Sequence, residues 1–252
     1  MFLPGLPIAL IRACYAAAPG NEIATGKFDN RRSSAALAAN TFGKYLGRPQ
    51  DMPRLPAEPG DDWPACQVQL EATLRFPWPG GRHPCLDVLI TTAHRVIGIE
   101  SKRFEPFRST RGPRLSDAYW RPLWGSHMKA FEELRDRLRD ADETYHYIDA
   151  TELVRHAFGL RTMVHRDPRR RGLAPVLLYL YAEPSNTPDG RTIAPEAHEA
   201  HRAELAKFAR TVRDDEVTFC FLSYRELLDA WAADSDPDVA CHAAAVMRLF
   251  AP

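Results

Sequence analysis

From Cys66 to Phe76 the chain alternates, with Val68, Leu70, Ala72, Leu74 and Phe76 apolar and Gln67, Gln69, Glu71, Thr73 and Arg75 polar or charged. A period of two is the repeat of a β-strand, so the segment predicts a half-buried strand with its apolar residues on one face. Pro77-Trp78-Pro79-Gly80-Gly81 makes the turn. Strands follow at about 85–91 and 95–102, separated by a short Thr-Ala-His bend. Three consecutive strands with short connections predict an antiparallel meander. Pro175 to Ala182 and Val217–Leu222 are continuous apolar runs, the pattern of strands covered on both faces.

The remaining segments read mostly as helices. Ser33 to Leu46 is rich in alanine; Asp29 or Ser33 can cap it, and Gly47 with Pro49 stops it. In 116–140, Trp120, Leu123, Trp124, Met128, Phe131, Leu134 and Leu138 recur at helical spacing, with Arg135, Arg137 and Arg139 on the wet face. Further helices are predicted over Thr151–Phe158, ending at Gly159, over 195–213, and over Tyr224–Ala232 and Pro237–Phe250. Residues 47–64 hold five prolines and little periodicity, and predict a surface loop. The apolar N-terminus ends at Arg12, has two prolines among its first residues and no basic leader. It is too short to span a membrane and predicts a buried helix. The order of elements implies a single α/β domain over 1–252, with a mixed central β-sheet, antiparallel meander plus buried strands, flanked by helices.

With 252 residues, an apolar fraction of 45% and a charged fraction of 26%, the chain has the composition of an ordinary globular protein. Its net charge is zero, which argues against a protein that coats DNA through a global basic field but leaves room for an enzyme with a basic cleft. Five cysteines lie far apart with no C-x-x-C pair. They predict structural thiols in a reducing cytoplasm, without a zinc site.

Candidate chemistry enters with lysine. Of 33 basic residues only five are Lys (27, 44, 102, 129, 207). Where arginine is the default cation, a lysine within a strand needs a reason, because an ammonium is compact and tunable while guanidinium is permanently charged. Lys102 closes the run Val96-Ile97-Gly98-Ile99-Glu100-Ser101-Lys102, and Asp87 sits in the preceding run, Leu86-Asp87-Val88-Leu89-Ile90. Glu100 is the only acid two places before any lysine of the chain, and side chains two apart on a strand share a face. Asp87 and Glu100 on neighbouring strands could ligate a hard cation such as Mg2+ or Mn2+, the Ser101 carbonyl could add a ligand, and Lys102 could hold a phosphate or an attacking water. The competing reading is an exposed edge-strand charge pair.

Asp87 … Glu100-Ser101-Lys102, on adjacent strands after an N-terminal helix, resembles the PD-(D/E)XK superfamily, the restriction-endonuclease-like nucleases. Phe76-Pro77-Trp78, Gly81 to Asp87, Gly98 to Phe107, Glu152 to Leu160 and Pro175 to Tyr181 are similar to a bacterial group within it. Leu86 stands before Asp87 and the nearest proline is Pro84, so the first half of the motif is degenerate. The resemblance implies a four-stranded mixed core sheet with flanking helices, Mg2+ (or Mn2+) as cofactor, and hydrolysis of phosphodiester bonds, most naturally in DNA. Such nucleases often add an acid from the first helix or a preceding strand, for which Glu22 and Glu71 are the candidates. Duplex cutting often uses two sites, so a homodimer is compatible with the assignment; no membrane partner is expected.

Arg103, Arg108, Arg111 and Arg114 leave the motif directly and are candidates for nucleic-acid phosphate contacts, as is the run Arg166, Arg169, Arg170, Arg171; the bland reading is solvated loops. His198-Glu199-Ala200-His201 has the wrong spacing for a zinc helix, with Arg202 at the fourth place, and predicts exposed helix surface. Tyr119, Trp120 and Trp124 could stack on bases, but their helical spacing favours the core. The expectation is a metal-dependent endonuclease. Its rivals are a catalytically silent nucleic-acid-binding or regulatory protein that keeps the nuclease fold, and an interaction protein in which the motif is only an ion pair.

Overall fold

The computed structural model describes residues 1–19, 26, 28, 30, 32–56, 63–78, 83–108 and 114–252. Five strands, β1 (Gln67–Thr73), β2 (Cys85–Thr91), β3 (Arg95–Lys102), β4 (Ala174–Tyr181) and β5 (Thr218–Ser223), form one sheet in the order β1-β2-β3-β4-β5. The first three are the antiparallel meander; β4 and β5 add in parallel, with Glu100 opposite Tyr179 and Lys102 opposite Tyr181. Parallel neighbours need crossovers, which α3 (Lys129–Asp140) and α4 (Ala150–Arg166) supply between β3 and β4, and α5 (Pro195–Thr211) between β4 and β5.

Each face of the sheet carries its own core. Helices α1 (Ile8–Ala17), α2 (Ser34–Phe42), α6 (Tyr224–Ala232) and α7 (Pro237–Phe250) cover one face, with Leu37, Phe42, Trp231 and Phe250 fully buried. On the other face α3, α4 and α5 bring Phe131, Phe158 and Phe208 against Leu89, Leu177 and Tyr179. The result is an α/β/α sandwich in which β3 and β4 are covered on both sides, as their continuous apolar runs require. Because β3 is third of five strands, the edge-strand reading of the Glu100–Lys102 pair is overturned. Among the described residues, no helix is long and apolar enough to cross a membrane.

Several expectations are corrected. Helix α2 is capped by Ser33, whose side chain accepts from Ala36 N–H; Asp29 lies outside the described residues. The helix expected over 116–140 is broken into 3-10 turns at Asp117–Trp120 and Ser126–Met128, followed by α3. Pro122 has no N–H to donate, and Gly125 has φ +74°, a conformation a helix cannot contain. Conversely α4 does not stop at Gly159 but runs on to Arg166. Gly159 is there for packing: a Cβ would lie 2.6 Å from Leu74 Cδ1. The described part of the segment, 47–56 and 63–64, is anchored to the core: Met52 and Leu55 are buried and Trp63 Nε1–H donates to Met52 O at 2.6 Å. Helix α1 buries Ile11 and Tyr15 but leaves Ile8 and Leu10 exposed.

Strand β1 departs from the simple alternation. Val68 and Leu70 pack in the first core, whereas Ala72, Leu74 and Phe76 pack in the second. Glu71 between them has φ +53°, a left-handed conformation that is unfavourable for a residue with a side chain. A single left-handed residue rotates the strand, so the same even-numbered positions serve opposite faces before and after it. In β2, Leu86 and Val88 divide between the cores in the same way around Asp87.

Candidate functional site

The distortion centres on three acids. Leu70 pairs Val88 and Ala72 pairs Leu86, so Glu71 lies opposite Asp87; Val88 pairs Ile99, which places Asp87 opposite Glu100. Glu71, Asp87 and Glu100 therefore form one cross-strand row over β1, β2 and β3. The regular β2–β3 pairing ends at Val88 and Ile99. Beyond it, the Asp87 carboxylate takes the place of a backbone carbonyl, its Oδ2 accepting from Ser101 N–H at 2.7 Å. Lys102 O accepts from Ala182 N–H on the β4 side. Strand alternation then turns the Ser101 carbonyl toward β2, the side of Asp87. The Ser101 side chain goes the other way, with Oγ 2.7 Å from the Tyr224 hydroxyl beneath the sheet.

Glu100 and Lys102 point at α4. Lys102 Nζ is 2.5 Å from Glu100 Oε1 and 2.6 Å from Glu152 Oε2, and His156 Nε2 is 3.1 Å from Glu100 Oε2. Helix α4 starts at an Asp149 cap that accepts from Glu152 N–H at 2.8 Å. Residues four apart share a helix face, so Glu152 and His156 both reach the strand. These two were missed from the sequence. The helix over Thr151–Phe158 already implied a shared face, but an acid four places before a histidine is ordinary until a strand end is known to lie beneath it. Glu22 and Arg111, by contrast, lie outside the described residues.

Burial sets the charges against one another. Asp87 has its carboxyl pushed well above the usual range by loss of water and then by Glu100 and Glu71, with Lys102 and the Ser101 N–H opposing. Burial would also raise Glu100, but Lys102 and His156 outweigh it and hold the group at about 2. Glu152 is raised by burial and by Glu100. For Lys102, burial works against the ammonium, but Glu100, Glu152 and Asp87 overcome it and keep the group firmly protonated. The site thus holds more buried negative charge than one ammonium compensates.

That excess has a measurable consequence. In metal-free protein Asp87→Asn is expected to raise stability at pH 8 by about 1–2 kcal/mol, the usual gain from relieving a strained functional group. Because the folded-state value of Asp87 lies above its unfolded one, its ionised form costs stability at high pH. The wild type regains that stability as pH falls through the elevated value, so the advantage of Asn vanishes there. Urea unfolding midpoints of both proteins across pH 4–8 measure the gap; a gap independent of pH would show that repulsion is not its source.

Lys102 and Glu152 open into a cleft of about 490 Å³ at the C-terminal ends of β3 and β4, also lined by Tyr179, Arg108, Arg114 and Arg139. Arg108, Arg114 and Arg139 are exposed on its walls, and Arg139 lies 4.6 Å above the Trp120 ring. One wall is fixed by Glu204 of α5, which accepts from the backbone N–H groups of His146, Tyr147 and Ile148. Arg103, expected to meet nucleic acid, does not reach this cleft. It is buried, donates to Phe250 O and lies over the Phe104 and Phe250 rings, so it is a packing residue. Arg170 is tied to Asp167 at 2.6 Å in the 166–171 run, which precedes the start of β4; that start pairs with Arg95, roughly 23 Å along the strand from Lys102. Tyr119 and Trp124 are core, as their spacing suggests. His201 is not surface: it is fully buried, 3.3 Å from the Tyr179 hydroxyl, and loss of water lowers its pKa to about 3.

Compared with protein-family models, curated proteins and solved structures, the chain matches none.

Proposed function

We propose that the chain is a divalent-metal-dependent nuclease of the PD-(D/E)XK, restriction-endonuclease-like type, hydrolysing phosphodiester bonds in DNA. One observation carries the reading. Asp87 and Glu100 stand opposite each other on β2 and β3, with Lys102 on the same face as Glu100 at the mouth of a cleft walled by arginines. This five-stranded sheet holds the meander and one parallel neighbour that such a core needs.

The residues present fit a hard cation. Three carboxylates crowd one row, the Asp87 carboxyl is driven up by burial and then by its acidic neighbours, and a backbone carbonyl faces the same side. Asp87, Glu100 and the Ser101 carbonyl would hold the ion, with Glu71 in register opposite Asp87 as a further acid of the same row. A bound cation would polarise the phosphate and lower the pKa of an attacking water. Lys102 then donates hydrogen bonds to the non-bridging phosphate oxygens, neutralising the charge that builds during attack. Arg108 and Arg114 hold flanking phosphates of the strand and set its position. Glu100, kept ionised by Lys102 and His156, keeps the ammonium at the reacting phosphate.

A second reading draws on the double ion pair of Lys102. Its ammonium is held by Glu100 and Glu152 together, and a protein that never releases it would bind DNA without cutting it. Incubation of purified protein with supercoiled plasmid and Mg2+ or Mn2+ separates the two. Cleavage is expected, and Lys102→Ala is expected to lower its rate by about 100-fold or more. Undiminished cutting by Lys102→Ala would remove the lysine from the mechanism. Salt-sensitive DNA binding with no cutting by the wild type would leave the silent reading in its place.

A further inference from the structure

The proposed nuclease site uses Asp87, Glu100 and Lys102, and leaves two α4 residues with neither cation nor phosphate to hold. The first is His156. It is 2% exposed, its Nδ1 has no hydrogen-bond partner, and its Nε2 meets Glu100 Oε2. A buried imidazole normally donates from one nitrogen and accepts at the other, and leaving one unpaired costs stability. Nε2 lies 3.1 Å from Glu100 Oε2 and is aimed at that carboxylate. The second is Glu152, one helical turn earlier, which meets Glu100 only through the Lys102 ammonium.

The geometry points to a divalent-cation position formed by Glu100, Glu152 and His156, suited to a first-row transition cation such as Mn2+ in preference to Mg2+. One ligand atom from each residue lies within 4.8 Å of the others. Opposite ligands of an ion bound at about 2.1 Å are about 4.2 Å apart, so small side-chain adjustments close the set. Two carboxylates and one imidazole make a donor set of mixed hardness. Mg2+ prefers oxygen alone, whereas imidazole adds affinity for the transition cations. His156 would bind through one nitrogen, with the Glu100 carboxylate it now faces as a fellow ligand.

The position lies on the α4 side of Glu100, whereas the ion of the nuclease reading lies on the Asp87 side. The two share Glu100, but binding on the α4 side requires no cleavage. The Lys102 ammonium now stands between two of the three ligands. A dication entering there takes over its charge role, and the freed ammonium can swing into the cleft. Mn2+ and Lys102 therefore compete, and Lys102→Ala is expected to tighten Mn2+ binding rather than weaken it.

The test uses full-length protein and Mn2+ alone, without DNA. Pulsed electron paramagnetic resonance of the bound Mn2+ is expected to show 14N coupling from a directly ligated imidazole. The coupling should be lost in His156→Gln and kept, with weaker binding, in Glu152→Gln. By competition, Mn2+ should bind at least about 10-fold more tightly than Mg2+ in the wild type, and this preference should fall to about 3-fold or less in His156→Gln. Circular dichroism of each variant establishes that it is folded. The wild-type spectrum decides the matter if His156→Gln does not fold, since a bound Mn2+ with no 14N coupling overturns the proposal without any variant. Coupling that persists in folded His156→Gln overturns it as well. Imidazole coupling without plasmid cleavage would retain this position and discard the nuclease reading, while cleavage without coupling would do the reverse.

Discussion

Glu100→Gln is expected to lower metal-dependent DNA cleavage by about 1,000-fold or more, the scale of losing a group that meets both cation and transition-state partner. Glu100 sits where three lines of the site cross. It lies opposite Asp87, it pairs with Lys102 at 2.5 Å, and it faces His156 at 3.1 Å. Its charge is secured against burial, with the pKa held at about 2. Glutamine keeps the shape and removes only that charge. The variant therefore separates electrostatics from packing, which Glu100→Ala does not. Single-turnover cleavage of a linear duplex with saturating Mn2+ measures the effect, and urea unfolding establishes that the variant is folded. A loss below about 10-fold would mean that the cation is held elsewhere.

Trp124→Ala is expected to destabilise the protein by about 3–5 kcal/mol, the cost of deleting a large aromatic from a packed core. Trp124 is 1% exposed and stacks on Phe158 of α4 with ring centres 4.2 Å apart. Phe76 and Trp78 meet it edge-on from the end of the first strand, and its Nε1–H donates to Tyr119 O at 3.0 Å. One side chain thus ties three segments together, including the helix that carries Glu152 and His156. Chemical unfolding followed by circular dichroism measures the loss. A change under about 1 kcal/mol would mean that the cluster repacks around the gap.

The residues of the meander were legible because alternation and β-branched runs are local properties. Asp87, Glu100 and Lys102 could be placed from them alone, since neighbouring strands in a meander fix which positions face one another. Glu152 and His156 could not. They reach the strand only because α4 crosses the sheet where it does, and that crossing is set by long-range packing of Leu153, Ala157, Phe158 and Leu160. Glycine misled in both directions. Gly159 was read as a stop although it serves Leu74, and Gly125, inside an apparently helical pattern, is a true break. The arginines show the same limit, since charge pattern cannot distinguish Arg103, packed on Phe104 and Phe250, from Arg108 on the cleft wall.

Sequence by itself determined the class of fold, the two buried strands and the strand-borne acids and lysine, because periodicity and residue chemistry are written along the chain. Only the tertiary structure decided that β3 is interior, that Glu71 turns its strand over beside Asp87, and that α4 brings a glutamate to Lys102 and a histidine to Glu100. Those features depend on which distant segments share a volume, and burial then changes what their charges do. A carboxylate that is routine in water becomes, in a row of three beneath a helix, a group that calls for a cation.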